Sequence, residues 1–131
     1  MAELPGLEAA GMFLGGLATQ DFARLGEALA PHVHLRALLP GGLKEWSGVA
    51  AVADRFARWF GDTTHFEHLE LTAGEVGSRI HLRWRLRLQA DRLGPGSFVV
   101  EQLAYADADE RGRISRIDLL CTGYLPERSD G

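Results

Sequence analysis

Side chains able to do acid–base, nucleophilic or metal chemistry are spread thinly along the chain. There are five histidines and a single cysteine, Cys121. On a strand, His32 and His34 would share a face, whereas His65 and His68 would lie on opposite faces. No cysteine or carboxylate spacing completes a metal site around them, so we predict no bound metal and no cofactor. Cys121 would need a neighbouring base to act as a nucleophile, and we interpret it as a small core residue.

A row of basic side chains alternates with apolar residues over residues 79–89. His81, Arg83, Arg85 and Arg87 would share one face of a strand. In one interpretation this face is solvated or faces a partner chain, with cross-strand pairing to glutamates. Those glutamates are Glu67, Glu70 and Glu101. In the other, the register is reversed and the face lines a cavity, forming an anion-binding pocket around Arg83. The cost of burying four cations favours the first interpretation.

The bulk properties of the sequence limit the classes of protein that it can encode. Its 131 residues suffice for one domain, predicted to span 1–131, and 46% of them are hydrophobic. A net charge of −4 argues against nucleic-acid binding, which normally needs a basic face. The N-terminus lacks the basic start of a signal peptide, and no apolar run approaches the ~18 residues of a membrane span. With the single cysteine, these features predict a soluble cytoplasmic protein.

Glycines and prolines divide the chain into helices followed by strands. The predicted helices are 12–18, 22–29 and 48–60, and the predicted strands are 33–39, 43–47, 65–72, 79–89, 98–106 and 114–124. We expect Asp21 to cap the second helix, Pro31 to end it, and the tail from Pro126 to be frayed. Helices early and strands late predict an α+β fold, with a curved antiparallel sheet wrapped around two to three N-terminal helices.

The third helix has the clearest amphipathic pattern in the chain. Gly48 precedes it, and apolar side chains recur along one stripe while charged side chains fall off that stripe. The stripe consists of Val49, Val52, Phe56, Trp59 and Phe60. After Gly61 the apolar period changes from helical to two, which is the period of a strand.

The order of these elements resembles that of the SnoaL-like superfamily, also called nuclear-transport-factor-2-like. Gly48 before the long helix, Gly112-Arg113-Ile114 before the last strand, and Arg-Trp-Arg-Leu-Arg at residues 83–87 are similar to motifs of that superfamily. The resemblance covers nearly the whole chain. It implies a cone with a pocket between sheet and helices, often in a homodimer formed through the outer sheet face. Because the fold hosts isomerases, cyclases, dehydratases, epoxide hydrolases and non-catalytic binders, it does not define function by itself.

The catalytic carboxylates of two enzymes of this fold have no counterpart here. The resemblance to ketosteroid isomerase would put its base at Leu39, before a proline, and its second acid near Ala104; neither side chain moves a proton. The resemblance to limonene epoxide hydrolase leaves Arg83 as its arginine but puts Arg85 where an aspartate is needed. Asp118 lies one residue from the second aspartate position, so by strand alternation it faces the opposite side unless a bulge intervenes.

Two further catalytic sets are also incomplete. A bile-acid-type dehydratase would match its histidine loosely with His65, but its tyrosine and aspartate positions fall near Phe13 and Ala18. The SnoaL-type polyketide cyclases use an aspartate late in the last strand. Residues 120–123 hold no carboxylate in this sequence.

The remaining candidates are pocket-lining residues. In the isomerase register, Ile117, Leu119 and Cys121 of the last strand point inward, and Gln102 would be the only polar group among the inward residues of the strand before it. The small side chain of Ala104 would leave space. The candidate ligand-binding residues are Trp46, Phe56, Trp59, Phe60, Trp84, Gln102, Ala104, Ile117, Leu119 and Cys121. An apolar cavity suits an apolar small molecule, although aromatic side chains also simply fill cores.

These observations leave two main functional hypotheses. One is a binding domain, forming a homodimer, that holds an apolar small molecule. The other is a small isomerase, cyclase, dehydratase or epoxide hydrolase with a rearranged site drawn from His65, Arg83, Gln102 and Asp118. The absence of a complete carboxylate set favours binding. A third hypothesis is that the chain is a structural partner domain in a larger assembly.

Overall fold

The structure, a computed structural model, describes residues 6–127. Its helices are α1 (Leu7–Ala18), α2 (Phe22–Glu27) and α3 (Val49–Phe60), with a short 3-10 helix at Asp91–Leu93. Its strands are β1 (Leu29–Leu39), β2 (Gly42–Ser47), β3 (His65–Val76), β4 (Arg79–Gln89), β5 (Phe98–Ala108), β6 (Ile114–Cys121) and β7 (Leu125–Pro126). Within this part of the chain, none of the helices has the length and apolar character that a membrane crossing requires.

The strands form one curved, open sheet in the order β2-β1-β6-β5-β4-β3, with the short β7 beside β5. Neighbouring strands are antiparallel except for β1 and β6, which run parallel. The parallel pair arises because α3 and the β3–β4–β5 meander separate the two strands in the chain. The helices cover the concave face of the sheet, so the predicted α+β architecture is confirmed.

Alternation along β4 separates an apolar inner face from a basic outer face. Every second residue is buried, namely Ile80, Leu82, Trp84, Leu86 and Leu88. The intervening arginines lie on the outer face, where Arg83 contacts Glu70, Arg85 contacts Glu101 and Arg87 contacts Glu67. The first of the two interpretations of this strand is therefore confirmed, and the reversed register is wrong.

Aromatic side chains from the sheet, α1 and α3 meet at the centre of the cone. Trp84 lies with its ring centroid 5.6 Å from that of Phe13 and 6.2 Å from that of Phe56, and the two phenylalanines pack edge to face at 5.2 Å. All three side chains are fully buried. Contacts of this kind add to the free energy of apolar burial, so this trio holds both helices on the sheet.

Helix α3 forms where the amphipathic stripe predicts it. Val52, Phe56 and Phe60 are buried against the sheet, while Asp54 and Arg58 form an exposed ion pair one turn apart at 2.7 Å. The helix begins after Gly48, whose φ of 90° lies in a region that favours glycine. The amphipathic stripe is thus sufficient to locate the helix.

Several predicted boundaries differ from the structure. Helix α1 begins at Leu7 rather than residue 12, and the cap of α2 on Asp21 is confirmed by a hydrogen bond from the Arg24 N–H at 3.1 Å. Pro31 does not end α2, because β1 has already begun; it lies where the β1–β6 pairing is irregular, so its missing N–H is tolerated. The predicted frayed tail lies largely outside the described residues, although Pro126 itself pairs with Phe98.

Helices α1 and α2 approach each other most closely at Gly16. A Cβ atom built on Gly16 would lie 2.7 Å from the Leu25 amide nitrogen and 2.8 Å from the Asp21 carbonyl oxygen. Gly11, in the same helix, is exposed and would have no atom within 4 Å of its Cβ. Packing therefore requires a glycine at position 16, whereas position 11 has room for a larger side chain.

We predict that G16A and G11A change stability in opposite directions. G16A should lower the free energy of unfolding by about 1–3 kcal/mol, because backbone atoms must move to admit the methyl group. G11A should raise it by about 0.5–1 kcal/mol, because alanine favours a helix interior. Urea denaturation followed by circular dichroism measures both. A G16A protein as stable as G11A would contradict the close approach of α1 and α2.

Candidate functional site

A cavity of about 600 Å³ opens at the wide end of the cone. It lies between the end of α3, the 3-10 helix, the turn after β1 and the paired ends of β5, β6 and β7. It is lined by Leu39, Pro40, Trp59, Phe60, Arg92, Leu93, Phe98, Val100, Gln102, Cys121, Thr122, Gly123, Tyr124 and Leu125. Most of these side chains are apolar or aromatic, so the cavity is suited to a carbon-rich ligand.

The end of α3 that borders the cavity has all four of its terminal carbonyl groups hydrogen-bonded. Ala57 accepts from the Gly61 N–H at 2.7 Å, as a helix end usually does. The other three carbonyls accept from side chains. Arg92 Nη2 donates to the Arg58 and Trp59 oxygens at 3.2 and 2.8 Å, Tyr124 Oη donates to the Trp59 oxygen at 2.6 Å, and Gln20 Nε2 donates to the Phe60 oxygen at 2.7 Å.

Tyr124 is held in the cavity wall by three interactions. Its hydroxyl donates to the Trp59 carbonyl and accepts from Arg92 Nη2 at 3.2 Å, and the Arg92 guanidinium lies 5.1 Å from the centre of its ring. Burial raises the pKa of Tyr124 above its ordinary value, and Arg92 offsets this only in part. The hydroxyl therefore stays protonated near neutral pH and acts as a structural donor.

The irregular segment after β6, residues 122–124, brings Tyr124 to the cavity. Thr122 bridges to β5, since its N–H donates to the Glu101 oxygen and its Oγ1 accepts from the Glu101 N–H, both at 3.0 Å. Gly123 follows with a φ of 81°, and a Cβ there would lie 2.7 Å from Cγ of Pro40. Glycine is therefore required twice over, by its backbone angle and by the proline beside it.

The deep end of the cavity is marked by Gln102, which is only 1% exposed. Its neighbour on β4 is Trp84, and the Trp84 indole Nε1 donates to the Gln102 Oε1 at 2.9 Å. Gln102 is the only polar or charged side chain among residues 6–127 that is classed as buried. A buried amide is stable only with hydrogen-bond partners, so its surroundings bear directly on what the cavity can hold.

Four of the ten predicted ligand-binding residues line the cavity: Trp59, Phe60, Gln102 and Cys121. Trp46 lies behind the wall, with its ring 5.7 Å from that of Trp59 and under the Arg55 guanidinium. The other five point inward as predicted but lie in the core, where side chains of α1 and α3 fill the space. Those five are Phe56, Trp84, Ala104, Ile117 and Leu119.

Three of the four predicted catalytic candidates lie away from the cavity. His65 is exposed on the edge strand β3, 3.9 Å from Glu67, and Arg83 is paired with Glu70 on the outer face. Asp118 also faces outward, 2.9 Å from Arg79 Nη2. This distribution follows from strand alternation, which puts all three on positions opposite to the inward residues. Gln102 is the one candidate that the fold brings to the cavity.

Asp118 is held as a carboxylate. Burial acts to raise its pKa, but hydrogen bonds from Arg79 and Arg116 outweigh this effect, so the pKa of Asp118 is lowered from its ordinary value. An acid that is stabilised in its charged form is a poor proton donor near neutral pH. Within residues 6–127, no three His, Cys, Asp or Glu side chains form a group that could hold a metal ion.

The sequence patterns missed the residues that form the mouth of the cavity. Arg92 and Leu93 lie between two predicted strands, in a segment for which no element was predicted, and Thr122 to Tyr124 were predicted as part of a continuous last strand. The dipeptide Gly123-Tyr124 was the available signal, since glycine inside a strand pattern often marks a bulge. Pro40, which lies beside Gly123, was considered only as the proline that follows Leu39.

Comparison with known proteins identifies the fold. No protein-family model matches the sequence, and no curated protein matches it. Bal32a, from a soil-derived mobile gene cassette, is 15% identical with a TM-score of 0.72, over 91% of this chain and 90% of that chain. An epoxide hydrolase of M. tuberculosis, similar to limonene epoxide hydrolase, is 20% identical with a TM-score of 0.64, over 89% and 82% of the two chains.

A third similar structure is that of TerC crystallised with polyporic acid. It is 16% identical with a TM-score of 0.65, and the match covers 88% of this chain and 89% of TerC. Similarity at these identities defines the fold alone. The chain therefore has the SnoaL-like, or NTF2-like, cone fold, as the resemblance implied.

We predict that the Tyr124 hydroxyl contributes to stability while that of Tyr105 does not. Y124F should lower the free energy of unfolding by about 0.5–1.5 kcal/mol, because a short, partly buried hydrogen bond to the Trp59 carbonyl is lost. Y105F, a matched change on the exposed outer face, should stay within about 0.5 kcal/mol of the unmodified protein. Urea denaturation compares the two. Equal effects would show that the hydrogen bond at the end of α3 is not important.

Proposed function

We propose that this protein is a cytoplasmic, homodimeric one-domain protein that binds an apolar small molecule in the cavity at the wide end of the cone. The observation that carries the proposal is the cavity itself. Its volume of about 600 Å³ lies within the range of ordinary ligand sites, and apolar side chains dominate its walls. A single cysteine agrees with a reducing compartment.

The chemistry of the cavity wall favours binding over catalysis. The described residues that line it include no carboxylate and no histidine. Tyr124 has a raised pKa, so its hydroxyl does not give up a proton readily near neutral pH. The sulfur of Cys121 accepts a hydrogen bond from the Gly123 N–H at 3.3 Å, but no base contacts it within the described residues. These groups orient a ligand more readily than they transform it.

A ligand of this cavity would be largely hydrocarbon with few polar atoms. Trp59, Phe60, Phe98 and Leu93 supply flat and branched apolar surface at its sides. TerC, which has the same fold, was crystallised with the small molecule polyporic acid. That observation supports a carbon-rich ligand for this chain as well.

Filling the cavity should weaken the binding of an aromatic dye with a largely apolar ring system. Val100 lines the cavity and is buried, whereas its neighbour Val99 is on the opposite face of β5. We expect V100F to weaken binding of 1-anilinonaphthalene-8-sulfonate about fivefold or more, because the added ring occupies the ligand's space. Fluorescence titration measures the dissociation constant.

The matched control is V99F, which adds the same ring outside the cavity and should bind the dye like the unmodified protein. Folding of both variants is checked by circular dichroism. If V100F bound the dye normally, the dye would occupy another surface and the cavity would lose its main support as the binding site.

The outer face of the sheet carries an apolar row that is suited to a second copy of the chain. Leu43, Leu38, Leu120 and Leu103 are successive cross-strand neighbours on β2, β1, β6 and β5. Leu43, Leu38 and Leu120 are 58%, 48% and 50% exposed. An apolar row of this kind is complementary to itself, which a two-fold symmetric interface requires.

Charged pairs beside this row fit the same arrangement. Arg36, Arg79 and Arg116 surround Asp118 on the outer face, so opposite charges alternate next to the leucines. A mixed rim of this kind around an apolar centre is typical of protein interfaces.

We predict that L120K converts a dimer into a monomer. The unmodified protein should have twice the 14.3 kDa mass of one chain, and L120K should have that mass once, because a buried lysine without a partner disfavours the interface. V76K, an equal change at an exposed hydrophobic residue beyond the row, should remain a dimer. Light scattering after size-exclusion chromatography measures each mass. A monomeric unmodified protein would refute the interface.

A further inference from the structure

The amide of Gln102 has one end fixed by the protein and one end free. Its Oε1 accepts the Trp84 indole hydrogen bond at 2.9 Å. Its Nε2, which carries two N–H donors, has no hydrogen-bond partner among residues 6–127. The side chain is 1% exposed and borders the cavity. Nε2 is accessible from the cavity, so a ligand oxygen there can accept a hydrogen bond from it.

The orientation of this amide follows from the chemistry of its neighbour. An indole nitrogen donates a hydrogen bond and cannot accept one, so the atom facing Trp84 must be the amide oxygen. The nitrogen is consequently the end directed away from Trp84. Trp84 is itself held between Phe13 and Phe56, so the amide is oriented before any ligand arrives.

We propose that the cavity recognises a neutral apolar ligand through a carbonyl oxygen that accepts a hydrogen bond from Nε2 of Gln102. This inference rests on the proposed small-molecule binding and adds the chemical class of the ligand. Gln102 is then the residue that determines specificity, and Trp84 positions it.

The surroundings of Gln102 favour a carbonyl over other oxygen groups. A carboxylate would need a cation. Among residues 6–127, the only basic residue that lines the cavity is the exposed Arg92, whose Nη2 donates to the Trp59 carbonyl at the end of α3. A hydroxyl would bring its own donor. The Thr122 Oγ1 is engaged with Gly123 and Glu101, and Cys121 Sγ already accepts from Gly123. A carbonyl oxygen only accepts, which matches a free N–H donor of the amide.

Two probes that differ in one group test this inference. 1-Tetralone carries a carbonyl on the ring system of tetralin, and both are small enough for the cavity. We expect 1-tetralone to bind about three- to tenfold more tightly than tetralin, as measured by isothermal titration calorimetry. In Q102L this preference should fall to about one, because leucine preserves much of the volume and removes the amide.

V100A is the matched control, since it enlarges the cavity beside Gln102 without changing a polar group. It should weaken both probes and keep their ratio. Equal binding of both probes to the unmodified protein, or an unchanged preference in Q102L, would overturn the inference and leave the binding function standing. If neither probe bound, the inference and the proposed function would both be rejected.

A second measurement needs no variant and covers the case in which Q102L does not fold. The side-chain amide of Gln102 gives a pair of cross-peaks in a ¹⁵N–¹H correlation spectrum. 1-Tetralone should shift this pair and tetralin should shift it much less, since only the ketone accepts its hydrogen bond. Identical shifts with the two probes would overturn the inference.

Discussion

The last turn of α3 leaves backbone carbonyl groups that the helix itself cannot satisfy, and the wide end of the cone depends on how they are satisfied. Arg92, Tyr124 and Gln20 reach them from three distant parts of the chain. Arg92 and Tyr124 also line the cavity. The same two side chains therefore cap the helix and form part of the cavity wall. A substitution that weakens the cap also changes the cavity.

Gln20, which caps the last carbonyl of α3, has an unfavourable backbone conformation. It is the only residue other than glycine among residues 6–127 with a positive φ, at 56°. That conformation is unfavourable for a side chain larger than hydrogen. The strain is offset by two hydrogen bonds of the Gln20 amide, to the Phe60 oxygen at 2.7 Å and to Thr63 Oγ1 at 2.9 Å. The conformation of the loop between α1 and α2 thus depends on hydrogen bonds to the end of α3 and to the residues that follow it.

The arginines on the outer face define the register of β4 more than they stabilise the sheet. Exposed ion pairs such as Arg85 with Glu101 contribute little individually. A slip of one residue, however, would bury the arginines and expose Trp84 and its apolar neighbours. The resulting difference in free energy is large, so the alternating pattern permits one pairing only. The same reasoning explains why Asp118 lies outside while its neighbour Ile117 lies inside.

Periodic patterns predicted the elements well and the cavity mouth poorly. The limits of β4 and α3 could be read from the sequence because apolar residues recur there with a single period. The contact between Tyr124 and Trp59 joins residues far apart in the chain and leaves no periodic signal. The inward orientation of residues such as Ala104 was predicted correctly. Orientation alone, however, does not show whether a side chain lies in the core or in the cavity. Whether an inward residue meets a ligand or a helix depends on Phe13 and Phe56, which pack on the sheet from α1 and α3.

The parallel pairing of β1 with β6 affects the order in which parts of the chain can fold during synthesis. Arg36 is opposite Asp118, so the chain must leave the ribosome through β6 before the two strands can meet. Until then, β1 has only β2 beside it and presents its other edge to any strand nearby. Contacts so distant in sequence slow folding, because a large loop must close before they form. The nascent chain is therefore exposed to aggregation longest at β1, and chaperone binding during synthesis would protect this strand first.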